Sequence, residues 1–171
     1  MRKIIVCFFL VLTFLCACSE SNQTPLYWLD KAKALNYSNQ KKAIKYLNKA
    51  IKLQPDYADA YNERGIAFTQ LGQKQEAIED FNKAISLNPQ DANFYNNRGI
   101  VYFQLGQYQR TIDDYNVVIR LKPDNANAYN NRGLSYLQLR NKKLGCRDLK
   151  KACAFKQCVF LESAKSKGIC R

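Results

Sequence analysis

The chain has 171 residues, 47% hydrophobic and 24% charged, a balance that excludes a disordered polymer and fits about one folded domain. With 7 glycines, 4 prolines and no alternating Val/Thr-rich run it is not a loop-rich sandwich, and the lack of any histidine removes the commonest general base and metal ligand. The net charge of +13 is unevenly spread, since residues 24–57 carry 7 basic and 2 acidic side chains, 58–125 carry 7 and 9, and 140–171 carry 10 and 2; no continuous basic stripe offers itself to nucleic acid, which is not an expected partner.

In chain order the first element is a leader. Arg2 and Lys3 precede an apolar stretch of 14 residues, 4–17, shorter than the roughly 20 needed to span a bilayer. A charged start, an apolar run and a small residue at its end are the parts of a secretory signal. The sequence Leu15-Cys16-Ala17-Cys18 resembles the lipobox of bacterial lipoproteins. That resemblance implies a signal peptide of residues 1–17 and acyl chains on Cys18; Cys16 fits worse because bulky Leu15 precedes it. Ser19, where retention signals use Asp, implies the outer membrane. The expected location is therefore the cell envelope, lipid-anchored and facing the periplasm, with 18–23 as a polar tether. Each buried methylene adds about 0.8 kcal/mol, so two or three acyl chains hold stably.

From residue 24 the sequence repeats every 34 residues. Tyr61-Asn62-Glu63-Arg64-Gly65 returns as Tyr95-Asn96-Asn97-Arg98-Gly99 and Tyr129-Asn130-Asn131-Arg132-Gly133, and Pro55, Pro89 and Pro123 keep the same step. Gln70-Leu71-Gly72 and Gln104-Leu105-Gly106 recur, with Arg140 in the glycine place after Gln138-Leu139. The pattern Tyr61, Gly65, Phe68, Ala77, Phe81, Ala84, Pro89 resembles the tetratricopeptide repeat. Unit 92–125 follows it with Tyr95, Gly99, Tyr102, Tyr115 and Pro123, and unit 126–157 with Tyr129, Gly133, Tyr136, Gly145 and Ala152. The first unit, 24–57, is degenerate, with Lys31 in the glycine place. The resemblance implies an all-α fold, a right-handed α-solenoid of about four helical hairpins (24–57, 58–91, 92–125, 126–157). Small residues let paired helices approach, aromatics fill the gaps, and proline ends each second helix.

A solenoid needs its last apolar face covered. Thr24 and Pro25 suit the start of the first helix. At the other end 158–171 is expected to form a capping helix, with Val159, Phe160, Leu161 and Ala164 covering the fourth unit and Gly168 ending it. Cys146, Cys153, Cys158 and Cys170 form an even set, which in an exported chain implies disulfides. Cys146 with Cys153 is excluded, since seven residues along one helix span roughly 10 Å. Cys153–Cys158 with Cys146–Cys170 is favoured over the crossed pairing Cys146–Cys158 with Cys153–Cys170. No Cys pair is spaced as in a zinc site, so no metal is expected.

No phosphate-cradling glycine loop, nucleophile elbow or paired-carboxylate cleft is present; neither catalysis nor a cofactor nor a small-molecule substrate is expected. Glu79-Asp80 and Asp113-Asp114 read as solvated helix faces. Binding is the expected role. By the resemblance, the first helices line a concave groove with Asn93 and Asn127; Asn62, Asn96 and Asn130; Glu63, Asn97 and Asn131; Ile66, Ile100 and Leu134; Thr69, Phe103 and Leu137; and Gln70, Gln104 and Gln138. Amides carry donor and acceptor together, so such a ladder suits the backbone of an extended peptide or partner protein, with Phe103 and Leu137 seating apolar anchors. Repeats that grip an acidic C-terminus use Lys and Arg where this chain has Asn62, Asn93 and Asn96, which disfavours that ligand. The expected function is a membrane-anchored protein-binding scaffold that assists assembly of an envelope, pilus or secretion complex. The alternative is a structural envelope component holding anionic surface or wall polymer through the basic 140–171 segment. The sequence leaves open whether Arg64, Arg98 and Arg132 face the groove.

Overall fold

Ala43, Leu47 and Ala50 recur at helical spacing, and in the computed structural model of the chain, which describes residues 23–35 and 39–170, they are the buried stripe of a helix over Gln40–Leu53. The same logic runs through the chain. The helices are α1 (Pro25–Lys33), α2 (Gln40–Leu53), α3 (Ala58–Gln70), α4 (Lys74–Leu87), α5 (Ala92–Gln104), α6 (Tyr108–Leu121), α7 (Ala126–Gln138), α8 (Lys142–Ala154) and α9 (Val159–Ser166). No strand occurs among the described residues, and no described helix is long and apolar enough to cross a membrane. The expected signal peptide, Cys18 and most of the tether lie outside the described residues.

Paired helices form four hairpins, α1/α2, α3/α4, α5/α6 and α7/α8, and each second helix also packs against the first helix of the next hairpin. The first helices of hairpins two, three and four touch in turn, α3 with α5 and α5 with α7. This is the helical solenoid with a C-terminal helix that the repeat implied.

Local chemistry sets the boundaries. Thr24 Oγ1 accepts the amide of Tyr27 at 3.1 Å with Pro25 in the first turn, and Asn39 Oδ1 accepts that of Lys42 at 3.0 Å. Between α3 and α4 the chain turns through Gly72 at φ 77°, with the Gln73 amide donating to the Phe68 carbonyl at 2.9 Å. Arg140 makes the equivalent turn before α8 at φ 59°, and the Asn141 amide donates to Tyr136 O at 2.8 Å. Between hairpins, Tyr61 Oη donates to the Pro55 carbonyl and Tyr95 Oη to the Pro89 carbonyl, both at 3.2 Å. The repeated tyrosine therefore ties the starts of α3 and α5 to the turns that precede them.

The core lies between the helices of each hairpin and between successive hairpins. Phe81, Tyr115 and Leu149 occupy the same place in three units and are all buried. Gly65 exists to admit Phe81: a methyl group on it would meet the ring at 2.7 Å. In the fourth hairpin both sides give way, because Leu137 reaches over Gly145 so closely that no side chain could stand there.

At the end of the chain α9 packs on α8 and buries Leu161, Ala164 and Cys170 against Leu149. The expected cap surface needs one correction. Val159 is 70% exposed and Phe160 is also exposed, because Leu161 and Ala164 lie three residues apart on the inward face while 159 and 160 fall on the outward one. Cys146 and Cys170 are joined with Cα atoms 5.5 Å apart, and Cys153 and Cys158 with Cα atoms 4.1 Å apart. The first bridge pins the chain end to the start of α8, and the second closes the turn into α9.

Candidate functional site

The stacked first helices α1, α3, α5 and α7 present one side of the solenoid, where two shallow concavities meet at Ile66. One lies between hairpins one and two, among Ala32, Lys33, Gln40, Leu47, Glu63 and Ile66. The other lies between α3 and α5, where Ile66, Phe81 and Ile100 form an apolar floor beside Thr69, Gln70 and Asn97. Burial raises the Glu63 carboxyl above its ordinary value, opposed by the Lys33 ammonium 3.8 Å away.

The side chains read from the sequence as groove residues fall into three groups. Gln70, Asn93, Ile100, Gln104, Asn127 and Gln138 are exposed. Glu63, Ile66, Asn96, Asn97, Phe103, Asn131 and Leu134 are half-buried, as are Thr69 and Leu137. Asn62 and Asn130 are buried, Asn130 to 2% exposure.

A ladder of free amides along the whole groove is not what forms. Asn97 Nδ2 donates to Asn62 Oδ1 at 2.8 Å, tying α5 to α3, and Asn131 Nδ2 donates to the buried Tyr115 hydroxyl at 2.8 Å. The difference between these two follows from one atom. Tyr115 offers a hydroxyl where Phe81, its counterpart one unit earlier, has none, so Asn97 turns to Asn62 instead. Asn93 Oδ1 lies 3.5 Å from Lys122 Nζ. The amides left outward are those of Gln70, Gln104, Gln138 and Asn127, of which Gln70 borders the apolar floor. Phe103 stands edge to face against Tyr108, with ring centroids 5.4 Å apart.

The repeated arginines do not line this face. Arg64 donates from Nε and Nη2 to both oxygens of Asp80 at 2.7 Å and from Nη1 to Asn48 Oδ1 at 2.6 Å. Arg98 does the same with Asp114 (3.0 and 2.6 Å) and Asn82 (2.6 Å), and Arg132 with Asp148 (2.7 and 3.1 Å) and Asn116 (2.8 Å). Each guanidinium thus joins the second helix of its own hairpin to the second helix of the one before. A planar fork matching a carboxylate is what arginine supplies and lysine does not. The expectation that Glu79-Asp80 and Asp113-Asp114 are solvated faces is corrected for Asp80 and Asp114, which are buried against these arginines, while Glu79 and Asp113 are exposed. Burial pushes the Asp114 carboxyl up, and the Arg98 guanidinium pulls against it. The signal for this clasp was in the sequence: Asn48, Asn82 and Asn116 precede the three arginines by 16 residues, and Asp80, Asp114 and Asp148 follow them by 16.

Comparison with known proteins agrees with this geometry. A family model described as TPR repeat matches residues 38–72, 67–106 and 101–139, and one described as Tetratricopeptide repeat matches 126–157. The fold is similar to a crystal structure of MamA at 27% identity and TM-score 0.76, covering 89% of this chain and 87% of that one. MamA from Desulfovibrio magneticus RS-1 (residues 41 to end) is similar in fold at 20% identity and TM-score 0.74, covering 85% and 86%. The first repeat domain of Spaghetti (RPAP3), bound to the HSP90 peptide SRMEEVD, is similar at 25% identity and TM-score 0.66, covering 69% of this chain and 97% of that one. No curated protein matches the chain.

Proposed function

Because this chain belongs to the tetratricopeptide repeat family, we propose that it is a protein-binding scaffold of the cell envelope, lipid-anchored through Cys18, which holds an extended segment of a partner on its concave face. One observation carries the reading. Between α3 and α5 an apolar floor of Ile66, Phe81 and Ile100 is edged by Thr69, by Asn97 and by the exposed amide of Gln70. That combination suits a peptide held by its backbone and one apolar side chain. The RPAP3 repeat domain, similar in fold, binds a peptide of HSP90.

The ligand here is of a different kind. The HSP90 peptide SRMEEVD carries two glutamates and an aspartate. This groove sets no ladder of cations against such charge: Asn93 and Asn96 stand where repeats that grip an acidic C-terminus use Lys and Arg, Asn62 is buried against Asn97, Lys33 faces Glu63, and the arginines are engaged in the clasps. A partner that assembles an envelope, pilus or secretion complex, presented outside the inner membrane, fits an anchored scaffold. In-cell crosslinking from a photoreactive residue at Gln104 or Ile100, against one at exposed Glu79 on α4, tests the proposal. A discrete partner captured from the first two sites alone is expected; equal capture from Glu79, or none from the groove, would end it.

A second reading rests on the other end of the molecule. α8 and α9 expose Lys142, Lys143, Arg147, Lys150, Lys151 and Lys165, while Asp148 is buried in its clasp. Anionic wall or surface polymer held there would be released by salt, whereas groove binding would persist.

A further inference from the structure

The second helix of the first hairpin leaves an exclusively basic set of charges on its surface. α2 carries Lys41, Lys42, Lys45, Lys49 and Lys52, all exposed, and no acidic residue. Four of them, at 42, 45, 49 and 52, run down the side of the helix away from the buried Ala43, Leu47 and Ala50. Aromatic rings stand among these ammonium groups. Lys49 Nζ lies 3.9 Å from the Trp28 ring centroid, and the Trp28 ring is 5.1 Å from Tyr27 and 5.4 Å from Tyr46.

The same hairpin exposes two large apolar side chains. Leu26 is 56% and Leu53 54% exposed. Leu26 opens α1 and Leu53 closes α2, so antiparallel pairing puts both at one end of the hairpin, next to Lys49 and Lys52. This is also the end at which the chain enters from the tether through Thr24. A soluble polyanion would be served by the lysines alone and would leave two leucines in water. A lipid surface uses both, because leucine enters the interface, lysine meets the headgroup phosphates, and the half-buried Tyr27 and Tyr46 suit the boundary between them, while Trp28 is buried beneath them in the hairpin core.

We propose that this end of the first hairpin docks on an anionic lipid bilayer, with Leu26 and Leu53 in the interface and Lys45, Lys49 and Lys52 against headgroup phosphates. The inference rests on the lipid-anchor reading for its setting: five residues lie between Cys18 and Thr24, at most roughly 20 Å of chain, which keeps this hairpin beside the membrane. Docking through the terminal hairpin leaves the concavity between α3 and α5 open to a partner.

The test is lysine reactivity, read by mass spectrometry on the protein as its cell makes it, mixed with vesicles of neutral phosphatidylcholine or of the same lipid with one third phosphatidylglycerol. We expect Lys45, Lys49 and Lys52 to lose reactivity several-fold on the anionic vesicles, to regain it near roughly 0.5 M salt, and Lys142, Lys143 and Lys150 to stay reactive. Lys45→Glu with Lys52→Glu should weaken partition by about tenfold or more, and Leu26→Gln with Leu53→Gln should weaken it on both vesicle types. Protection at 142–150 instead, a face already unreactive without vesicles, or equal protection by soluble polyphosphate would each overturn the proposal. Intact mass separates the two readings. Unacylated Cys18 with protection intact removes the anchor alone, and an acylated protein on anionic vesicles with all lysines reactive removes the docking alone.

Discussion

At the scale of single residues, the clasp arginine is the side chain on which most depends. Asp114 is 3% exposed, so Arg98→Ala strands a carboxylate that water barely reaches, whereas Asp114→Asn leaves a guanidinium that is partly solvated. Denaturant unfolding of Arg98→Ala should show a loss of about 3 kcal/mol, and Asp114→Asn a loss smaller by at least about 1 kcal/mol. Acidity sharpens the distinction. Burial already raises the Asp114 carboxyl, and losing its cation raises it further, so the folded variant favours the protonated acid. A raised folded value means stability is fully present below the unfolded value and lost as pH rises, so the Arg98→Ala deficit should be largest at neutral pH and shrink as pH falls through the carboxylate range. A deficit that grew on acidification would contradict the pairing. Arg140 is the opposite case, a residue that works against its backbone. It holds φ 59° where the two preceding units have Gly72 and Gly106, and Arg140→Gly should stabilise the chain by about 0.5–1 kcal/mol in thermal unfolding.

At the scale of elements, the C-terminal helix is short and depends on its bridges. α9 has 8 residues, too few to stand alone, and its contact with α8 rests on Leu161, Ala164 and the Cys146–Cys170 bridge. That bridge closes a 24-residue separation and the Cys153–Cys158 bridge one of 5, so chain entropy assigns them about 3.5 and about 2 kcal/mol. Cys146→Ser with Cys170→Ser should therefore speed hydrogen exchange through α9 and the start of α8 while α3 to α6 keep their protection. Faster exchange spread evenly over the chain would mean that the bridge holds more than the cap. How much of this was legible varied with the kind of signal. The hairpins could be read because Tyr61, Gly65 and Pro89 recur where sterics admit little else, and the capping helix because Leu161 and Ala164 keep helical spacing. The outward turn of Val159 and Phe160 could not, since four consecutive apolar or small residues give no phase. Nor could the use of Asn97 and Asn131, whose partners are fixed by a single hydroxyl present on Tyr115 and absent from Phe81. The clasp was legible in spacing yet unread, because an acidic pair on a helix looks solvated until the guanidinium over it is placed.

At the scale of the molecule, a solenoid is held together by contacts between neighbours only, so its cooperativity is set at the interfaces. Three clasps cross those interfaces, at Asn48, Asn82 and Asn116, and the first hairpin has no clasp of its own, since Asp30 and Tyr46 stand where the arginine and the aspartate would be. The middle crossing can be weakened without disturbing either hairpin. Asn82→Ala removes the 2.6 Å bond from Arg98 while the Arg98–Asp114 fork stays whole, and the lost bond is exposed, so total stability should fall by only about 1 kcal/mol. Coupling should fall further in proportion. In denaturant, α1 to α4 should begin to exchange their amides separately from α5 to α8, and the slope of the unfolding transition should decrease as two units replace one. Asn82→Asp is the informative control, because it keeps the bond and adds a charge pair, and should preserve a single transition. If Asn82→Ala still unfolds in one step with an unchanged slope, packing of Phe94, Val101 and their neighbours carries the coupling alone, and the clasps act within hairpins rather than between them.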